Sequence, residues 1–362
     1  MNNSGTTIEG SADETLAIPQ SPLPVSVLTG FLGSGKTTVL RHLLQQPDMA
    51  NTAVIVNEFG EIGLDHFLVE NAKEDTILLN SGCLCCTVRG DLVETMRRLF
   101  KQRVRREIPP FDRLVIETTG LADPAPILLT LMNDPFLVER FRLDGVIATI
   151  DAVNGGNTLD RHFESVKQIA VADRILLTKT DLADSQTSEA LTARLKGLNP
   201  AAPVLAVTQG AVEAAALFNA GLYDPATKTL DVQRWLKAEA YDTHDDDHGH
   251  HHHDVNRHDA SIRAFCITRD EPLNWDRLNS WVQMLIMLYG GNLLRIKGIL
   301  NIEDCEGPVV IHGVQHTFHP PIQLERWPDD DRRSKLVFIT RDLEREMFDH
   351  TLEAFAGNQA PA

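Results

Sequence analysis

One segment of the sequence combines residue types and spacing that could bind a triphosphate. Residues 30–37, G-F-L-G-S-G-K-T, follow an aliphatic run and precede a helical pattern. Glycines at this spacing let successive backbone N–H groups turn toward a phosphate, and the helix amino end adds partial positive charge. Lys36 can bridge two phosphates, and the Thr37 hydroxyl can bind Mg²⁺. The residues predicted to bind the nucleotide phosphates are Gly30, Phe31, Leu32, Gly33, Ser34, Gly35, Lys36, Thr37 and Thr38.

A second segment, residues 178–181 (T-K-T-D), follows another aliphatic run and could recognise the base. The Asp181 carboxylate can accept hydrogen bonds from N1–H and the 2-amino group of guanine, whereas adenine offers neither donor and would be repelled. The stem of Lys179 can lie along the purine face. Thr178 stands where such segments usually carry Asn, which weakens the expected contact to the far edge of the base. Val207 begins a second segment, which is predicted to form the other wall of the base pocket. The pattern predicts GTP, and the alternative is a helix-entry turn capped by Asp181.

Between these segments lie two candidates for the metal and the γ-phosphate. Glu117 ends an aliphatic strand pattern and could hold Mg²⁺ through water, and the N–H of Gly120 could contact the γ-phosphate. With Lys36 and Thr37 they form the predicted catalytic set. Residues 57–61, N-E-F-G-E, follow the second strand pattern, where a segment that senses the γ-phosphate is expected. The alternatives are a capping or ion-pairing role for Glu117 and a solvated acidic loop at 57–61.

Three of the five cysteines lie within four positions, as Cys83, Cys85 and Cys86, directly after a strand pattern. Thiolates are soft ligands suited to Zn²⁺ or another late first-row ion, and three of them leave a fourth position open. This cluster is not a spaced disulfide framework, which favours a reducing compartment. The alternative is burial of all three as packing residues, the role that we expect for Cys266 and Cys305.

Composition limits the classes of partner. Acidic residues outnumber basic ones by 51 to 34, giving a formal charge of -17, so no nucleic-acid partner is expected. The basic stretch 97–106 has the spacing of a solvated helix face. No apolar run approaches the roughly 20 residues of a membrane span, so no membrane association is expected. Residues 1–22 lack the features of a secretory leader and are predicted to be a disordered tail, which favours the cytoplasm.

The pattern along the chain predicts an α/β protein with two domains. In residues 23–241, short aliphatic runs alternate with amphipathic stretches, as in a P-loop parallel sheet flanked by helices. Residues 242–259 are rich in His and Asp with no apolar face and are predicted to be a linker. Residues 260–357 are predicted to be a smaller α+β domain that includes an amphipathic helix at Trp275–Tyr289. The linker histidines could bind divalent ions weakly or belong to a solvated spacer: His244, His248, His250, His251, His252, His253 and His258.

Taken in order, these motifs resemble those of the CobW-like GTPases, a group related to the nickel-insertion GTPases of urease and hydrogenase. The resemblance extends over roughly residues 24–344 and includes L-R-I-K-G at 294–298. It implies a slow GTPase and metallochaperone with GTP, Mg²⁺ and Zn²⁺ (or Co²⁺ in the cobalamin branch), delivering metal to a client protein. Cys83, Cys85 and Cys86 would be the metal thiolates, with Glu58 and Glu61 as auxiliary ligands.

Two questions remain open at the level of sequence, namely the choice among rival functions and the oligomeric state. A metal-storage or sensing protein with a structural nucleotide site, and a small-molecule kinase that uses ATP, are the rival functions. The oligomeric state is undetermined, with a homo-oligomer among the alternatives. The expected mechanism is that GTP and Mg²⁺ order the segment after Asn57 and so bring the thiol loop into its metal-binding shape.

Overall fold

The structure is a computed structural model that describes residues 19, 21–56, 77–80, 88–218, 261–328 and 330–356. Within this part of the chain, two sheets organise two domains. The predicted tail, apart from its last few residues, and the predicted linker lie outside the described residues. In the part of the chain that is described, no helix combines the length and apolar character that crossing a membrane would require.

The first domain contains a seven-stranded sheet in which every pair of neighbours is parallel, in the order β3-β2-β4-β1-β5-β6-β7. The strands are β1 (Leu23–Gly30), β2 (Thr52–Val56), β3 (Ile77–Asn80), β4 (Arg113–Glu117), β5 (Phe141–Asp151), β6 (Arg174–Thr178) and β7 (Val204–Val207). Seven aliphatic runs in the sequence, at 25–28, 53–56, 76–79, 114–116, 146–150, 175–177 and 204–207, predict these strands, and all seven are confirmed. Several of the runs are nearly all aliphatic, as expected for strands that helices cover on both faces of the sheet.

Eight helices of this domain are described: α1 (Lys36–Leu44), α2 (Val88–Val104), α3 (Ala125–Asn133), α4 (Pro135–Arg140), α5 (Gly155–Arg161), α6 (Phe163–Ala170), α7 (Ser185–Leu198) and α8 (Ala214–Leu217). Stretches with helical spacing at 37–44, 92–100 and 189–198 predict α1, α2 and α7 with shorter bounds, whereas α3 to α6 and α8 are not predicted. Helix α3 is apolar almost all round, so it carries no periodic signal. Helix α5 is short, polar and begins with two glycines, so its sequence resembles a loop.

The second domain is an antiparallel sheet in the order β11-β10-β9-β13-β8, with β12 pairing with β10. Its strands are β8 (Ile262–Arg269), β9 (Leu293–Leu300), β10 (Val309–Val314), β11 (Thr317–Phe318), β12 (Ile322–Gln323) and β13 (Ser334–Arg341). Two helices, α9 (Trp275–Tyr289) and α10 (Arg345–Ala356), share an aromatic core with this sheet through Trp281, Phe338 and Phe348. The predicted α+β class is therefore confirmed.

Other side chains of the second sheet pack on the first domain. Cys266, Val310 and Val337 belong to the same buried apolar cluster as Leu131 and Phe141 of the first domain. The core-packing role predicted for Cys266 is therefore confirmed. The same prediction is wrong for Cys305, which is exposed in the connection between β9 and β10.

Candidate nucleotide-binding site

The glycine-rich loop joins β1 to α1 at the carboxyl edge of the parallel sheet, where nucleotide sites of such folds lie. Gly30, Gly33 and Gly35 have φ values of 141°, 72° and 92°, which side chains with a Cβ rarely adopt. Gly35 precedes α1 and provides no side-chain cap for it. The loop therefore has the backbone freedom and the uncapped helix end that bind an anion through N–H groups.

The side chain of Lys36 is folded back over this loop. Its ammonium group donates to the carbonyl oxygens of Gly30, at 2.9 Å, and Phe31, at 3.2 Å. Lys36 is only 8% exposed, so its charge acts in a poorly hydrated environment, where electrostatic attraction to a phosphate is strong. The cation thus lies beside the turn that the sequence assigned to the phosphates.

Thr37 and Glu117, which the sequence assigned to Mg²⁺, are in direct contact. The Thr37 hydroxyl donates to Glu117 Oε1 at 2.8 Å, and Glu117 is 4% exposed at the end of β4. A hydroxyl and a carboxylate are hard oxygen donors of the kind that Mg²⁺ prefers. The donor set therefore suits a magnesium ion bound beside a polyphosphate, with the carboxylate reaching the ion directly or through water.

The segment after β4 lies against the glycine-rich loop. A Cβ atom on Gly120 would lie 2.6 Å from the backbone nitrogen of Leu32, closer than any side chain permits. From the other side, Gln168 Nε2 of α6 donates to the carbonyl oxygens of Gly120 and Ala122, at 3.3 and 3.0 Å. Gln168 is buried and was not predicted from the sequence, where α6 gave no recognised signal.

The loop after β6 is tied to the glycine-rich loop through Thr178. Its hydroxyl donates to the carbonyl oxygen of Ser34 at 2.7 Å, with a second contact to Ile150 O at 3.1 Å. The sequence assigned this residue a weak contact with the base. In the structure its side chain instead joins the base-recognition segment to the phosphate-binding backbone.

The remaining base-recognition residues occupy distinct positions. Asp181 is exposed, and the Lys179 ammonium group donates to Asp151 Oδ2 at 2.6 Å. The hydroxyl groups of Thr180 and Thr208 lie 3.0 Å apart and join the loops after β6 and β7. The Val207 side chain is fully buried in the core beneath α1, so a base pocket at this edge would be lined by the residues that follow Val207.

Comparison with known proteins identifies the family. Residues 24–206 match the CobW/HypB/UreG nucleotide-binding domain, and residues 262–356 match the cobalamin synthesis protein CobW C-terminal domain. The chain belongs to the CobW/HypB/UreG family. The resemblance drawn from the motifs is thereby confirmed, and the two matches coincide with the two sheets of the structure.

Some relatives of this CobW/HypB/UreG protein are similar over most of their length. The Escherichia coli protein named zinc chaperone YjiA is 34% identical over 337 residues, covering 93% of this chain and 99% of the relative. A crystal structure titled as Zn(II)-bound YjiA GTPase superposes with a TM-score of 0.70 at 30% identity, covering 93% of this chain and 100% of that one. The Pseudomonas aeruginosa protein named zinc chaperone CobW is 30% identical over 355 residues, covering 89% of this chain and 88% of the relative.

The candidate cargo-metal ligands of this CobW/HypB/UreG protein fall outside the described residues. These are Cys83, Cys85, Cys86, Glu58, Glu61 and the linker histidines from His244 to His253. Among the residues that are described, no cluster of three or more His, Cys, Asp or Glu side chains could hold a metal ion. On either side of the thiols in the sequence, the nearest described residues are Asn80, at the end of β3, and Val88, at the start of α2.

Sequence reasoning also missed Asp151. This carboxylate ends β5 and is buried, just as Glu117 ends β4. The sequence contained the signal for Asp151, which is an acidic residue directly after an aliphatic run. Such a residue lies at the carboxyl edge of the parallel sheet, near the nucleotide site, for Asp151 as for Glu117.

Proposed function

We propose that this chain is a GTPase that binds Zn²⁺ and delivers it to a metal-requiring client protein in a nucleotide-dependent manner. The observation that carries the proposal is the contact between Thr37 and Glu117, 2.8 Å long, beside the Lys36 ammonium group. This arrangement joins a phosphate-binding cation to a pair of oxygen donors for magnesium. Bound there, Mg²⁺ would neutralise charge on the β- and γ-phosphates during hydrolysis.

The contributions of the chain's own residues follow from their positions. Lys36 would bind the phosphates, Thr37 and Glu117 would hold the magnesium ion, and we assign the contact with the γ-phosphate to the backbone N–H of Gly120. Asp181 selects guanine because its carboxylate accepts from the two donors on the guanine edge. The hydrogen bond from Thr178 to Ser34 holds the base-recognition segment at a constant position relative to the phosphate-binding loop.

Zinc binding is assigned to Cys83, Cys85 and Cys86. Thiolates favour Zn²⁺, and relatives of the chain are named zinc chaperones. Co²⁺ is the alternative cargo, since the C-terminal family model is named for cobalamin synthesis. Glu58, Glu61 and the linker histidines from His244 to His253 are proposed as auxiliary ligands.

The sheet order supports communication between the thiols and the nucleotide. Strand β3, which precedes the thiols, is separated from β4 by β2 alone. Neighbouring strands lie about 4.8 Å apart, so the end of β3 is about 10 Å from the end of β4, where Glu117 lies. Strand β2, which precedes residues 57–61, lies between them. A nucleotide-dependent change that reaches the end of β2 would therefore act next to the strand that leads to the thiols.

The test is to measure Zn²⁺ affinity by chelator competition with a non-hydrolysable GTP analogue and Mg²⁺, with GDP and Mg²⁺, and without nucleotide. Affinity should be highest in the GTP-analogue state, and zinc should raise the affinity for that analogue by the same factor. Replacing Cys83, Cys85 and Cys86 by Ser should abolish tight zinc binding, whereas Cys305→Ser, at an exposed lone thiol, should not. Equal zinc affinity in all three states would overturn the nucleotide-dependent delivery.

The client is proposed to be a metalloprotein that accepts Zn²⁺ from thiolates, and the reducing chemistry of the motif favours the cytoplasm as the compartment. A pull-down with zinc and the GTP analogue, repeated with GDP, tests both the existence of a client and its dependence on nucleotide. Retention of the same proteins in both states would contradict this part of the proposal.

A further inference from the structure

Asp151 is a buried carboxylate that the nucleotide chemistry above does not use. It is 7% exposed, and its oxygens accept hydrogen bonds from Val153 N at 2.7 Å, Asn154 N at 3.2 Å, Asn154 Nδ2 at 3.2 Å and Lys179 Nζ at 2.6 Å. Burial raises the pKa of Asp151, but the hydrogen bonds from Lys179, Asn154 and Val153 outweigh this effect and hold the pKa below its ordinary value. The group is therefore an anion fixed in one orientation.

Lys179, the partner of Asp151, is constrained at both ends of its side chain. Its backbone has a φ of 56°, a left-handed conformation that costs a residue with a Cβ about 1 kcal/mol or more. The preceding residue, Thr178, is paired with Asp151 at the end of β5 and accepts a hydrogen bond from Ala152 N at 2.9 Å. The following turn is closed by Leu182 N, which donates to Lys179 O. With the ammonium group held by Asp151, the alkyl stem has a defined path.

The path of this stem matters because Lys179 lies between Thr178, which is tied to the phosphate-binding loop, and Asp181, which is assigned to the guanine edge. A lysine stem adds apolar contact to a purine face only if it lies flat against it. An unpaired stem would sample many rotamers and lose that contact for part of the time. We propose that Asp151 is a positioning residue for guanine binding, acting by holding the Lys179 ammonium group so that its stem packs on the purine.

The proposal rests on the guanine-nucleotide function proposed above. It extends that function by assigning different roles in base binding to two carboxylates. Asp181 distinguishes guanine from other bases by its hydrogen bonds, whereas Asp151 acts through Lys179 on any purine. The two carboxylates should therefore respond differently when the 2-amino group of the base is removed.

The experiment measures dissociation constants for GDP and inosine diphosphate by calorimetry with wild type, Asp151→Asn, Lys179→Met and the double variant. Asp151→Asn should weaken both ligands by the same factor, about tenfold, the size expected for loss of one partly exposed charge-assisted hydrogen bond. The KM for GTP should rise with kcat nearly unchanged. In the Lys179→Met background, Asp151→Asn should have no further effect. The matched control is Asp160→Asn, which removes a 2.7 Å ion pair with Arg194 elsewhere in the same domain and should leave affinity unchanged.

Each failure has a distinct meaning. If Asp151→Asn weakens GDP binding by the same factor in the wild-type and Lys179→Met backgrounds, or leaves the affinity unaltered, the positioning role is overturned while the GTPase function stands. If wild type does not bind GDP, the proposed function falls and the inference falls with it. Should Asp151→Asn fold poorly, the Lys179→Met variant supports the proposal by a matching tenfold loss, estimated on the same basis, and overturns it by an unaltered affinity.

Discussion

Asp173 of the first domain and Arg295 of the second are joined by a buried ion pair across the domain interface, with 2.6 Å between Asp173 Oδ1 and Arg295 Nη2. Lys297 Nζ donates to the same oxygen at 2.8 Å, and Val146 N donates to Oδ2 at 2.9 Å. Arg295 and Lys297 belong to the L-R-I-K-G segment on β9, and Asp173 immediately precedes β6, which leads to the base-recognition loop. One carboxylate therefore compensates the charge of two buried cations.

Loss of the Asp173 charge should be strongly destabilising. Asp173→Asn leaves Arg295 and Lys297 buried without this anion, and breaking one side of such a pair costs about 3–5 kcal/mol of unfolding free energy. Urea unfolding measures the change. Asp349→Asn, which removes a more exposed ion pair with Arg269, provides the comparison and should cost about 1 kcal/mol or less. Similar losses for the two variants would contradict the prediction.

The same cluster predicts a pH dependence of stability. Burial, with the nearby charge of Arg295, lowers the pKa of Lys297 from 10.5 to about 8, while Asp173 opposes the shift; His312 and Arg174 also contribute to this environment. Between these two pH values the unfolded chain holds the Lys297 proton and the folded chain does not. The free energy of unfolding should therefore rise with pH across this window, by at most about 1.4 kcal/mol per pH unit from this group.

Comparison of wild type with Lys297→Met isolates that contribution, because both proteins share every other titrating group. The difference in unfolding free energy between them should change with pH between about 8 and 10.5 and be constant at lower pH. A difference that stays constant throughout would show that Lys297 keeps its proton in the folded chain.

Substitution at Gly120 should damage the phosphate-binding loop without a chemical group being removed. Gly120→Ala places a methyl carbon 2.6 Å from Leu32 N, so one of the two backbone segments must move. We expect GTP turnover to fall about 100-fold, because small displacements of a transition-state contact have effects of that size. Gly156→Ala, where a Cβ meets nothing within 4 Å, should leave turnover unchanged. Equal turnover of the two variants would argue against close contact between these segments.

Removal of the Lys36 ammonium group should abolish most hydrolysis. In Lys36→Ala the buried cation beside the phosphate loop is lost, and we expect kcat for GTP to fall at least about 100-fold, as for loss of a main charge-stabilising group. Phosphate release under saturating GTP measures it. Arg98→Ala removes an exposed positive charge on α2, outside the phosphate-binding loop, and should not change turnover. Unaltered turnover in Lys36→Ala would remove the phosphate-loop assignment.

Much of the architecture was predictable because it depends on local physics. Aliphatic runs marked all seven parallel strands, and the period of Trp275–Tyr289 marked α9 with its bounds. The glycine spacing of residues 30–37 fixed the loop because positive φ values are a property of those residues themselves. Helix α3 was missed because it is apolar almost all round, and α5 because it is short and polar, so neither has an amphipathic period. Helices α4 and α6 are only six and eight residues long, and the amphipathic pattern that α6 does have was overlooked.

By itself the sequence determined which side chains could bind phosphate, magnesium, guanine and a soft metal, since those roles follow from residue type and local spacing. Only the tertiary structure decided which side chains meet. Thr37 and Glu117 are 80 residues apart, Lys179 and Asp151 are 28 apart, and Arg295 and Asp173 are 122 apart. Their contacts depend on strand order and domain packing, which are set by burial summed over the whole chain, so no local pattern specifies them.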